Sequence, residues 1–326
     1  MTQPRSQLVN PEATPYYHCV SRCVRRAFLC GNDPITNKSF EHRRGWIEEK
    51  LLFISQFFMI DIASYAIMSN HYHVVLHLDT DGAKQLSDLE VVKRWHSLFK
   101  GTELSHCFAD NKPIEEHNIE NLNKNIALWR ERLCNIGWFM RCINEPLARM
   151  ANKEDLCTGR FWEGRFKSQA LLDEKSLLAC MAYVDLNPIR AGLASELEKS
   201  DHTSIKKRLE INAPSSIDYL TKLRFINNDS QSNTKSLPFS LKDYLNLVDW
   251  TGRHIRKETN GIISDDRPFI LDKFQFSESH WLYITKNFES KFRNLVGGFY
   301  KLQSAAKILG LKRAYGLANS LKFFGK

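Results

Sequence analysis

The amino-acid sequence predicts an α+β fold in which one antiparallel sheet packs against helices on one face, forming an α/β sandwich. Alternating apolar segments typical of strands are separated by segments with helical spacing, in the order β–α–β–β–α–insertion–β–α. The chain has 326 residues, 43% of them hydrophobic, which is enough for a sizeable core. The sequence contains no internal repeat.

Short segments rich in aromatic and β-branched residues predict the strands, at 16–24, 60–68 and 71–78. Ser69 and Asn70 form a two-residue polar break between the last two strands, which predicts a hairpin. A basic and aromatic segment at 159–172 predicts a further strand or hairpin.

Apolar residues at helical spacing predict helices at 41–59, 83–100 and 174–186. The last helix is ended by Asn187 and Pro188, because a proline does not continue a helix. The polar sequence after residue 100 indicates an insertion, predicted to be helical over about 101–155 with a long helix at 125–151.

Two regions are predicted along the chain. The strands lie in residues 1–210, residues 211–326 form a mainly helical C-terminal region, and the polar run 227–236 is a candidate linker. No run of about 18 apolar residues is present, so no transmembrane helix is expected. The first residues lack the apolar segment of a signal peptide, so a cytoplasmic protein is expected.

The charge balance indicates a polyanionic partner. The chain has 46 Lys and Arg against 37 Asp and Glu, a net charge of +9, and nucleic acid is the commonest partner of such proteins. An ordinary basic protein is the alternative. The eight cysteines lack the paired spacing of a structural zinc site, so we expect buried thiols.

Two histidines in one apolar strand are candidate metal ligands. His71 and His73 are two residues apart, so their side chains point to the same face of the strand. Burying two imidazoles is costly unless their nitrogens are engaged, and a shared metal ion would engage both. Two core histidines with other hydrogen-bond partners are the alternative.

A tyrosine and an asparagine share a helical face just before a proline. Tyr183 and Asn187 are spaced i, i+4, so they lie one turn apart. A phenol can attack phosphorus when it loses its proton and a metal polarises the phosphate, and an amide oxygen one turn away suits that metal. An interfacial tyrosine and an asparagine cap before Pro188 are the alternative.

Basic residues interleaved with aromatic rings suit single-stranded DNA, because charge binds phosphates and rings stack on bases. The candidate DNA-binding residues are Arg22, Arg25, Arg26, Arg160, Trp162, Arg165 and Lys167. The alternative is that the rings belong to the core and the basic residues form a solvated rim.

Two blocks of sequence carry a family resemblance. Residues 67–76 (IMSNHYHVVL) resemble the "MPNHxHLLV" signature of single-tyrosine HUH transposases, with Ser69 in place of the usual proline. Residues 183–193 (YVDLNPIRAGL) resemble the "YIxxNPVRAGL" block of the same family. Residues 17–22 and 159–166 resemble the family's opening strand and the block before the tyrosine helix. The resemblance covers about residues 14–200 and is strongest to the REP-associated tyrosine transposases.

The resemblance implies a ferredoxin-like HUH catalytic domain over residues 1–210. It implies that His71, His73 and Asn187 hold Mg²⁺ or Mn²⁺, and that Tyr183 is the nucleophile. The implied function is a transposase, a metal-dependent endonuclease and strand transferase acting on single-stranded or hairpin DNA through a 5′-phosphotyrosine intermediate. No membrane partner is implied, and the chain would be a monomer or homodimer.

Three questions stay open from the sequence. A catalytically silent DNA-binding protein and a metallohydrolase using the His71–His73 pair are the alternative functions. No general base for the phenol is evident, and His77, on the face of the candidate ligands, is a weak candidate. Residues 304–313 resemble the start of a helix-turn-helix for duplex DNA, with a plain amphipathic helix as the alternative.

Overall fold

The computed structural model describes residues 9–24, 29–33, 37–211, 237–257 and 267–326. These residues contain five strands and fourteen α-helices. The strands are β1 (Tyr16–Arg22), β2 (Ile60–Ile67), β3 (His71–Leu78), β4 (Lys167–Leu171) and β5 (Leu295–Val296). The helices before β4 are α1 (His42–Ser55), α2 (Thr80–Gln85), α3 (Asp88–His96), α4 (Glu103–Ala109), α5 (Glu116–Leu133) and α6 (Ile136–Glu154). Those after it are α7 (Glu174–Asp185), α8 (Asn187–Arg190), α9 (Ser204–Ile211), α10 (Leu241–Lys257), α11 (Phe269–Lys273), α12 (Glu278–Lys291), α13 (Phe299–Ile308) and α14 (Leu317–Phe323).

The α+β fold class is confirmed, and the sheet has the order β2-β3-β1-β4-β5. The first four strands are antiparallel to their neighbours, with Val20 of β1 opposite both His73 and Lys167. The expected purely antiparallel sheet is wrong at one edge, because β5 pairs with β4 in parallel. A parallel pair needs a long connection, which the helices between β4 and β5 supply. A strand of two residues is too short to show alternation in the sequence.

Helices cover both faces of the sheet, so the expectation of helices on one face is wrong. Tyr72, Val74 and Leu76 of β3 belong to one apolar core together with residues of α1 and α6. Val75 belongs to a second core together with residues of α7, α10 and α12. Successive side chains of a strand point to opposite faces, so the two cores lie on opposite sides of the sheet.

The predicted long helix at 125–151 is wrong, because α5 and α6 are separate helices. The chain leaves the helical conformation at Asn135, where φ is −112° and ψ is 119°. The Asn135 side chain accepts a hydrogen bond from the Trp138 backbone N–H and so caps the start of α6. Helical spacing continues through this break, so the spacing alone did not reveal it.

The C-terminal helices share a core with the tyrosine helix. Tyr244 on α10 and Trp281 on α12 are buried in the same apolar cluster as residues of α7. The candidate linker 227–236 lies outside the described residues, and the division near residue 210 stays a prediction. Near Gly310, α13 ends at Ile308 and α14 begins at Leu317, and a helix-turn-helix that binds DNA stays a prediction. No helix within the described ranges is long and apolar enough to span a membrane.

Candidate active site

The candidate metal ligands lie on the sheet face that packs against α7. His71 and His73 are on the same face of β3, and their ring centroids are 4.7 Å apart. Their cross-strand neighbours on β1 are Arg22, opposite His71, and Val20, opposite His73. Side chains opposite each other in a sheet share a face, so Arg22 adjoins the histidines.

A row of hydrogen-bonded side chains crosses this face from β4 to β3. His18 Nδ1 lies 2.6 Å from Gln169 Oε1, and His18 Nε2 lies 2.9 Å from His73 Nδ1. Gln169 Nε2 donates to the Phe292 carbonyl oxygen at 2.5 Å, and a carbonyl oxygen can only accept. The amide oxygen of Gln169 therefore faces His18, and His18 Nδ1 carries the proton between them.

The same row determines which nitrogen of His73 is protonated. Burial is complete for His18 and His73 and lowers the pKa of both, so both rings are neutral. A neutral His18 protonated on Nδ1 has a lone pair on Nε2, and His73 Nδ1 donates to it. His73 Nε2 is then unprotonated, and it has no hydrogen-bond partner among the described residues. An imidazole nitrogen in this state is the form that binds a metal ion.

His71 is the first residue of β3 and is half-buried. Burial, followed by the charge of Arg22, lowers its pKa to about 4. The ring is therefore neutral at physiological pH and retains a lone pair for a ligand.

Buried hydrogen bonds fix the helix that carries Tyr183. Asp173 caps the start of α7 by accepting from the Ser176 backbone N–H. Near its end, the fully buried Asp185 carboxylate accepts from the Ser204 hydroxyl on α9 and from the Tyr244 hydroxyl on α10, each at 2.5 Å. These bonds lock the last turn of α7 in place, and Tyr183 lies in that turn.

The Tyr183 ring lies beside the histidine row. Its centroid is 5.7 Å from that of His73 and 6.2 Å from that of His18. The Arg190 guanidinium lies 4.2 Å above the ring, and the hydroxyl donates to Glu289 Oε2 at 3.3 Å. Burial raises the pKa of Tyr183, while the charge of Arg190 counteracts part of this rise. The phenol is therefore protonated at neutral pH.

The side chains around the two histidines fit a divalent metal ion in part. Asn187 begins α8 one turn beyond Tyr183, and its buried amide Nδ2 has no hydrogen-bond partner among the described residues. Turning the amide by half a turn exchanges its oxygen and nitrogen, so the unpartnered position can hold the oxygen that a metal would need. The approach of Asn187 to His71 and His73 stays a prediction. Within the described ranges, no three His, Cys, Asp or Glu side chains lie close enough to hold a metal ion. A metal here would thus need the amide of Asn187 beside His71 and His73.

Three of the candidate DNA-binding residues surround one pocket. Arg22, Arg165 and Lys167 line it together with Val20, Glu163 and Gly164. This pocket lies at the His71 end of the sheet face, since Arg22 is opposite His71.

The remaining candidate DNA-binding residues are placed differently. Arg160 is exposed, and Trp162 is half-buried with its indole N–H donating to the Asn144 carbonyl oxygen. Phe161 and Phe166 are buried, as in the alternative in which these rings belong to the core. Arg25 and Arg26 lie outside the described residues.

Sequence reasoning did not identify three residues of this site. His18 on β1 and Gln169 on β4 point to the same sheet face as His71 and His73. Only the pairing of β1 with β4 shows that His18 and Gln169 are neighbours. Glu289 is 106 residues from Tyr183, and no local pattern marks it.

His77, the weak candidate for the general base, pairs with Asp61 at 3.1 Å and lies four residues along β3 from His73.

Comparisons with known proteins find a distant structural likeness. No family model and no curated protein matches the chain. The fold is similar to a solved structure of a REP-associated tyrosine transposase bound to a REP hairpin, with 9% identity and a TM-score of 0.36. The likeness covers 67% of this chain and 93% of that one. At this level the likeness does not establish a family for the chain.

Proposed function

We propose that this protein is a transposase that cuts and rejoins single-stranded DNA, with Tyr183 as the nucleophile. The observation that carries the proposal is the meeting of Tyr183 with a buried histidine whose Nε2 is unprotonated and unpartnered, their ring centroids 5.7 Å apart. A nucleophile beside a ligand site is the arrangement that metal-assisted attack on phosphorus requires.

The basic pocket supports a nucleic-acid substrate. Arg22, Arg165 and Lys167 have exposed side chains around it, and their positive charge suits a phosphodiester backbone. Because the pocket adjoins His71, a strand bound there would run toward Tyr183. The solved transposase described above is bound to a REP hairpin, and a DNA hairpin is the substrate we would test first.

The proposed chemistry needs few groups. His71, His73 and Asn187 would hold Mg²⁺ or Mn²⁺, which supplies Lewis-acid polarisation of the scissile phosphate when bound. The Tyr183 oxygen attacks phosphorus, and the bond from phosphorus to the 3′-oxygen breaks. The products are a 5′-phosphotyrosine and a 3′-hydroxyl. Attack by a 3′-hydroxyl reverses the step and joins strands, and the phosphotyrosyl ester retains the bond energy, so no ATP is needed.

An adduct assay tests the proposal. Labelled single-stranded hairpin DNA from the regions flanking the gene is mixed with protein and Mn²⁺ or Mg²⁺, then run on a denaturing gel. We expect a labelled band of protein size that disappears with EDTA and in Tyr183→Phe. Tyr283→Phe, at an exposed tyrosine on α12, is the matched control and should retain the band.

Two other results would favour the alternatives. Hairpin binding without any adduct would favour a catalytically silent DNA-binding protein. A nick without an adduct would favour a metallohydrolase in which water is the nucleophile.

A further inference from the structure

The phenol of Tyr183 needs a proton acceptor before it can attack phosphorus. Burial raises its pKa, so little phenolate is present near neutral pH. General-base catalysis by a positioned side chain typically contributes about 10²–10⁴-fold to a rate. A group that takes this proton must lie within hydrogen-bond reach of the phenol oxygen.

The C-terminal region places a carboxylate at that position. Helix α12 packs against α7 through buried side chains, among them Trp281, Ile284 and Phe288. The Phe288 ring contacts the Tyr183 ring, with centroids 5.6 Å apart. Glu289 follows Phe288 directly, and its Oε2 accepts the hydrogen bond from the Tyr183 hydroxyl at 3.3 Å. Docking of α12 therefore positions this carboxylate on the nucleophile.

Neither His18 nor His77 is suited to the same task. Both nitrogens of His18 are engaged, one with Gln169 and one with His73. His77 is bonded to Asp61 and lies about 13 Å from His73 along β3, at roughly 3.3 Å per residue. The carboxylate of Glu289 is the acceptor that contacts the phenol oxygen.

We propose that Glu289 is the general base that deprotonates Tyr183, so that the C-terminal region completes the active site. This inference rests on the proposed function. In cleavage the phenol proton passes to the Glu289 carboxylate, the bond between the Tyr183 oxygen and phosphorus forms, and the bond to the 3′-oxygen breaks. The 3′-oxygen leaves on the opposite side and takes a proton from water. In rejoining, the 3′-hydroxyl gives its proton to water and its oxygen forms the new bond to phosphorus. The bond between phosphorus and the Tyr183 oxygen breaks, and the protonated Glu289 returns its proton to the departing phenol oxygen.

Arg190 complements this pair. Its guanidinium lies over the Tyr183 ring and donates to the Thr285 carbonyl oxygen. Arg190 therefore links α7, which carries Tyr183, to α12, which carries Thr285 and Glu289. A cation at this position favours the phenolate that forms during attack. The titratable and charged groups that face Tyr183 and Glu289 are His18 on β1, His71 and His73 on β3, Cys180 on α7 and Arg190 on α8.

Single-turnover adduct formation in Glu289→Gln tests the proposal. Glutamine keeps the size of the side chain but does not accept a proton, so we expect the rate to fall by about 10²-fold or more. Glu278→Gln, on the exposed first turn of α12, is the matched control and should behave as wild type.

Hairpin binding and Mn²⁺ affinity, measured on the same variants, separate the outcomes. A wild-type rate in Glu289→Gln would overturn the role of Glu289 while leaving the proposed function intact. Loss of Mn²⁺ binding in Glu289→Gln would also overturn it, because Glu289 would then be a metal ligand. Absence of any adduct in the wild type would contradict the proposed function itself.

Discussion

Replacing Gln169 with leucine should weaken metal binding at His73, although Gln169 contacts His73 only through His18, by two successive hydrogen bonds. Leucine removes the acceptor that holds the His18 proton on Nδ1. A buried N–H without an acceptor costs about 1–3 kcal/mol. His18 can avoid this cost by moving its proton to Nε2 and donating to His73 Nδ1, which forces the His73 proton onto Nε2. That is the nitrogen a metal would need.

The size of the effect follows from this competition. Metal binding in Gln169→Leu has to restore the disfavoured proton arrangement, at a cost of about 1–3 kcal/mol. At about 1.4 kcal/mol per factor of ten, the dissociation constant should rise about 5- to 150-fold. Mutating a residue that hydrogen-bonds to a metal ligand usually lowers metal affinity by about 10- to 100-fold, which agrees with this range.

Two measurements check the reasoning. Calorimetric titration with Mn²⁺ gives the affinity, and imidazole ¹⁵N chemical shifts of the metal-free protein report which nitrogen of His73 is protonated. Gln303→Leu, at an exposed position of α13, is the control. If His73 carries its proton on Nε2 in the metal-free wild type, the deduction from Gln169 and His18 is refuted whether or not a metal binds.

Three further predictions concern stability and DNA. Asp185→Ala should destabilise the protein by about 3–5 kcal/mol in denaturant unfolding, because it breaks a buried, charged hydrogen-bond network, and Asp185→Asn should cost less. Arg165→Ala should weaken hairpin binding and reduce the dependence of log affinity on log salt by about 1, whereas Lys124→Ala on α5 should change neither. Burial alone would raise the pKa of Glu48, but hydrogen bonds, led by that from His202, leave it lowered. Ionised Glu48 therefore stabilises the fold above about pH 4, and the loss of stability between about pH 5 and 3 should be smaller in Glu48→Gln.

The sequence predicted those parts of the fold that have a local signal. Alternation marked β1, β2 and β3, and it identified the face shared by His71 and His73. The end of α7 followed from Asn187 and Pro188, but the short helix α8 that begins at Asn187 was not predicted. These features depend on neighbours in the chain, so they can be read from a short stretch of sequence.

Other parts of the site depend on contacts between distant segments. His18 and Gln169 each lie on a strand with ordinary alternation, and only the pairing of β1 with β4 makes them neighbours. Glu289 reaches Tyr183 because α12 docks on α7, and nothing in its own sequence indicates that docking. The parallel pairing of β5 with β4 was missed for the same reason, since a pair of residues has no period.

The separation of Tyr183 and Glu289 along the chain has a consequence during protein synthesis. The ribosome adds about 5–20 residues per second, so the 106 residues between them take about 5–20 s to make. During that interval a growing chain contains Tyr183, the proposed nucleophile, but lacks α12, the helix that carries the proposed base Glu289. Under the proposed function, an unfinished chain would cleave DNA more slowly than the finished protein, and so would the product of a message broken between the two codons.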